Sequence, residues 1–111
     1  MLSLDDYIKE SYFTADDKGW HDVKPERTFG DLIALCHSEL SEALEEYRKG
    51  NSTFKIYFKN KKPEGVPIEM ADLLIRVFDM CMHLEIPIEK ALKIKMDYNK
   101  TRSYRHGGKA I

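Results

Sequence analysis

The chain has 111 residues, of which 42% are hydrophobic and 33% charged, with a formal net charge of −1. That balance excludes a disordered polymer and suits one globular domain with a real core. No run of about 18 apolar residues occurs, so no membrane span is expected. The opening "MLSLDDYIKE" lacks the basic and apolar regions of a signal peptide, and a cytoplasmic location is expected.

The charge is unevenly spread. Residues 1–50 hold 12 acids and 6 bases, whereas residues 51–111 hold 7 acids and 12 bases. An acidic half can hold metal cations and a basic half can meet phosphates; alternatively the halves simply neutralise each other in the fold.

In chain order, the first helix is expected from about Leu4 to Asp17, with Ser3 as its cap and Gly19 beyond its end. Leu4, Tyr7, Ile8, Ser11, Tyr12 and Ala15 form one face. "GWHDVKPER" is a connector, broken by Gly and Pro. It carries Trp20 and His21. Trp20 is able to stack on a base or to serve as a core or interface anchor.

The second helix is expected to start with Thr28 as N-cap and to stop at Gly50. Its apolar stripe is Phe29, Leu32, Ile33, Cys36, Leu40, Ala43, Leu44 and Tyr47. Residues 51–66 break the helical pattern. Phe54, Ile56 and Phe58 alternate with polar residues, as in a short extended segment or hairpin arm, and Lys55, Lys59, Lys61 and Lys62 decorate it. The third helix is expected from near Pro67 through "IEMADLLIRVFDMCMHL", apolar nearly all round and so the most buried. The fourth begins after Ile86 and runs to about Arg102, followed by a tail. Cys36 and Cys81 fall inside apolar patterns and are expected as buried free thiols. Met70, Met80, Met82 and Met96 read as core filler.

The chemistry lies in the acids. "SELSEALEEYRKG" places Glu39, Glu42 and Glu46 three and four residues apart, on one face beside the apolar stripe, with Glu45 pointing elsewhere. Like charges at these spacings repel. On the third helix Glu69, Asp72, Arg76 and Asp79 make a second stripe, with only Arg76 and His83 nearby as bases. Buried carboxylates need partners. They either form solvated faces paired with distant Lys and Arg, or two facing acidic rows hold divalent cations between them. Mg²⁺, with Mn²⁺ as a substitute, suits Glu39, Glu42, Glu69 and Asp72 as oxygen ligands. Di-iron carboxylate bundles use Glu-x-x-His pairs, and neither pair here has a His at that offset, which favours a hard cation. Glu42 and Glu46 are candidates to accept a proton from an attacking water. On the fourth helix Lys95, Asn99 and Arg102 share a face able to contact phosphate, with Arg105 and His106 following. A basic last turn also simply complements the helix dipole.

"SELSEALEE", "PIEMADLLIRVFD" and "KIKMDYNKTR" together resemble the MazG-type all-α nucleoside triphosphate pyrophosphohydrolases, over roughly residues 29–106. The resemblance implies an all-α, four-helix-bundle-like fold completed by oligomerisation, as a homodimer or homotetramer. It implies Mg²⁺-dependent cleavage of a nucleoside triphosphate to the monophosphate and pyrophosphate. By position it makes Glu39, Glu42, Glu69 and Asp72 the metal ligands and Lys95 and Asn99 substrate contacts. Arg102 joins the latter by its place on the same face, and Trp20 and His21 are candidate base contacts. The Lys-rich arm at 54–62 departs from the family pattern. Beside the enzyme stand a non-catalytic helical module that binds nucleotides or a partner protein, and a plain oligomerisation bundle. Nucleic-acid binding is not expected, since no basic patch with interleaved aromatics occurs beyond the 54–62 arm.

Overall fold

The computed structural model describes residues 1–104; Arg105 and His106 lie outside the described residues. Four helices and one hairpin follow one another: α1 Leu4–Asp17, α2 Phe29–Arg48, β1 Tyr57–Lys59, β2 Lys62–Glu64, α3 Val66–His83 and α4 Ile88–Thr101. The class is mainly α-helical, with the hairpin as its one sheet among the described residues.

Two helices start on reciprocal caps. Ser3 Oγ accepts from the Asp6 amide at 3.1 Å and the Asp6 carboxylate accepts from the Ser3 amide at 2.9 Å. Thr28 and Asp31 repeat the arrangement at α2, at 3.1 and 2.8 Å. Each cap is worth about 1 kcal/mol and fixes where its helix begins. α3 has no side-chain cap and starts instead from Gly65, with Pro67 in its first turn.

α3 is the central element. It packs against α1 on one side and α2 on the other, and is the least exposed helix. The core where they meet contains Ile8 from α1, Cys36 and Ala43 from α2, and Val66, Met80 and Cys81 from α3. Both cysteines are free, and burial pushes both thiols up, which keeps them protonated. Met80 is core filler as expected, whereas Met70 and Met96 are exposed.

The apolar stripes are only partly covered in one chain. Leu40, Leu44 and Tyr47 on α2 and Met70, Leu74 and Ile75 on α3 remain exposed. α4 does not complete a bundle within the chain. It packs on no other helix to any extent, and from Glu89 to Thr101 every residue is exposed.

Residues 57–64 form the hairpin expected of the arm, in the register Tyr57↔Glu64, Phe58↔Pro63 and Lys59↔Lys62. Asn60 and Lys61 both have positive φ, 52° and 68°, as a two-residue type I′ turn requires. Phe54, Ile56 and Phe58, the apolar members of the alternation, are exposed. Tyr57 is the residue that faces inward, because its hydroxyl reaches Glu46.

A candidate metal centre between two helices

Three of the four expected ligands come together. Glu39 from α2 and Glu69 and Asp72 from α3 each offer a carboxylate oxygen within 4.8 Å of the others. Their convergence follows from the packing of α2 along α3: Glu39 lies beside Cys36 and Ala43 on the inner stripe, and Glu69 and Asp72 are one turn apart. Glu39 is buried and the other two are half-buried. Glu42 is exposed and stands outside the trio, although its charge still reaches Glu69.

The crowding is visible in the electrostatics. Burial, a hydrogen bond with Glu39, and the charges of Asp72, Glu39 and Glu42 together push Glu69 up to about 7. Asp72 is raised as well, by burial and by Glu39, with Arg76 and Lys62 offsetting part of the rise. One proton is thus partly retained near neutrality. This oxygen-only donor set fits a hard divalent cation, whose charge replaces that proton.

Arg76 flanks the trio. Its Nε donates to Glu39 Oε1 at 2.7 Å, and its guanidinium lies 4.9 Å from the Trp20 ring centroid. Arg27 covers Trp20 at 3.8 Å and donates to its carbonyl at 2.7 Å. The indole therefore sits against two guanidinium groups in an anchoring role, while still lining a cavity of about 690 Å³. Tyr7, Ser11 and Thr14 of α1 line that cavity opposite Glu39, Asp72 and Arg76. A space of this size can admit a small molecule.

Several of the expected site residues stand elsewhere or meet other partners. Glu46 is buried, but its oxygens accept from Tyr57 Oη at 2.8 and 3.1 Å and from Asn51 Nδ2 at 2.9 Å. It anchors the hairpin and is not placed to take a proton at the cluster. His21 is likewise engaged: Nε2 pairs with Asp79 at 2.7 Å and Nδ1 with Asp16 at 3.0 Å. Its ring stacks against both Tyr12 and His83, with centroids 4.7 and 4.6 Å away. Burial lowers the His21 pKa, but the two carboxylates outweigh it and the net direction is up. Asp79 therefore leaves the acidic stripe for a buried ion pair. Lys95 and Asn99 sit on α4 and Arg102 is its C-cap, and α4 does not approach the cluster in one chain.

Sequence reasoning missed His21 as the partner of Asp79, the α1 wall of the cavity, and Tyr57. The available signal for the first was a histidine in a glycine-flanked connector ahead of an acid on an otherwise apolar helix.

No protein-family model matches the chain, and comparisons with curated proteins and with solved structures give no match. No described helix is long and apolar enough to cross a membrane.

Proposed function

We propose that the protein is a divalent-metal-dependent nucleoside triphosphate pyrophosphohydrolase, releasing a nucleoside monophosphate and pyrophosphate. The observation that carries this reading is the convergence of Glu39, Glu69 and Asp72 at the edge of a substrate-sized cavity that also presents Arg76 and Trp20. The order of the acidic motifs, with its resemblance to MazG-type enzymes, supports the same chemistry.

Glu39, Glu69 and Asp72 would hold Mg²⁺ or Mn²⁺. When bound, the cation supplies Lewis-acid polarisation of phosphate oxygens. Arg76 fixes the orientation of Glu39 through its 2.7 Å hydrogen bond. Glu42, exposed one turn along α2 from Glu39, is the carboxylate left free to accept a proton from water. The cavity wall of Tyr7, Ser11, Thr14 and Trp20 would receive the nucleoside. A second copy of the chain would cover the exposed stripe of Leu40, Leu44 and Tyr47 and bring Lys95 and Asn99 of α4, with Arg102 at its C-cap, to the site. This supports a homo-oligomer.

The test is incubation with a panel of nucleoside triphosphates and Mg²⁺, with and without chelator, reading pyrophosphate release. Asp72→Asn and Glu69→Gln abolish release while circular dichroism stays helical. Full activity in both variants overturns the assignment. Nucleotide binding without any product favours a non-catalytic nucleotide-binding module.

A further inference from the structure

Resting on that reading, we propose that the β1–β2 hairpin carries an anion-binding element of the same site, in which Lys62, with Lys59 beside it, holds phosphate oxygens of the substrate. Residues directly opposite in an antiparallel pair share a face, and alternate residues along each strand do too. The register therefore gathers Tyr57, Lys59, Lys62 and Glu64 on one side and Phe58 and Pro63 on the other. Tyr57 identifies the inner side, because its hydroxyl donates to buried Glu46 of α2. The exposed Phe58 marks the outer side.

Here two lysines stand directly opposite each other, an arrangement that costs stability through repulsion. Glu64 lies 3.7 Å from Lys62 Nζ, and among the described residues the Lys59 side chain makes no hydrogen bond or ion pair. The Lys62 side chain remains 76% exposed, so its ammonium is available to a ligand. The strand that carries Lys62 packs against α3, the helix of Glu69 and Asp72.

The mounting is firm. Glu46 holds the hairpin through Tyr57, and Asn51 before it is held by the same carboxylate. At the far root, Gly65 approaches the backbone so closely that an added Cβ would lie 2.3 Å from the Lys55 carbonyl oxygen. Gly65 is also the N-cap of α3, four residues before Glu69. The hairpin backbone that carries the lysines is thus tied to the start of α3, ahead of Glu69 and Asp72. A polyphosphate bridging a cation on the trio and an ammonium on the hairpin has opposite charge on both sides.

Lys62→Gln separates this role from a structural one, because it should move two affinities in opposite directions. Mn²⁺ binding alone is measured by calorimetry, and inorganic tripolyphosphate binding is measured in the presence of Mg²⁺. Removing a cation beside the trio tightens Mn²⁺ binding severalfold. Losing one charge-assisted hydrogen bond weakens tripolyphosphate binding about tenfold. Equal tripolyphosphate affinity in the two proteins, no tripolyphosphate binding by either, or weakening of both ligands together overturns the inference. Wild-type protein that binds both probes as described but cleaves no nucleotide defeats the proposed catalytic function and leaves the hairpin site standing. Active enzyme whose turnover and affinities ignore Lys62→Gln defeats the hairpin site alone.

Discussion

Replacing Glu69 with glutamine should make the metal-free protein more stable at alkaline pH. In the fold Glu69 titrates at about 7 instead of 4.5. The sign follows from linkage: the folded state holds this proton more tightly than the unfolded chain, so stability falls as pH rises from about 4.5 through about 7. Above that window the wild type carries a charge its neighbours oppose, and glutamine does not. The displacement is worth about 3.4 kcal/mol at full value, and partial exposure reduces it to about 1–2 kcal/mol through solvent screening. For a domain of this size that is roughly 5–10 °C in Tm. Thermal melts with chelator at pH 5 and pH 8 test it. The variant should melt higher at pH 8, with a much smaller difference at pH 5. Added Mg²⁺ should raise the wild type and leave the variant nearly unmoved. A variant no more stable than wild type at pH 8 would show that the three carboxylates do not crowd one another.

Other perturbations test the rest of the framework. His21→Ala leaves Asp79 buried without its partner and should cost about 3 kcal/mol by chemical denaturation. Because the His21 pKa is raised, its stabilisation is present in full below about 6.5 and is lost as pH climbs through the folded value, so the loss should shrink by pH 9. Tyr57→Phe removes the hydroxyl that donates to Glu46 and should cost about 1.5–3 kcal/mol, with faster amide exchange confined to residues 51–64. Gly65→Ala forces a Cβ against the Lys55 carbonyl at a φ of 120° and should destabilise by about 1–3 kcal/mol, read as a lower denaturant midpoint.

The sequence by itself determined the local structure. Ser3 and Thr28 with their aspartates three residues on, Gly50, and Pro67 mark helix ends through short-range hydrogen bonds and backbone preference, and the helices begin and end there. The 3-4 spacing likewise put Glu39 and Glu42 on one helix face and Glu69 and Asp72 on another, because helical geometry converts spacing into direction. Only the tertiary structure decided how the remaining acids are used. Glu39 and Glu46 share a stripe, yet the hairpin brings Tyr57 and Asn51 to Glu46 and Arg76 comes to Glu39. Asp79 lies seven residues beyond Asp72, but a histidine 58 positions earlier claims it. Periodicity says which residues share a face; which partner reaches that face depends on contacts between segments distant in sequence, and no local pattern encodes those.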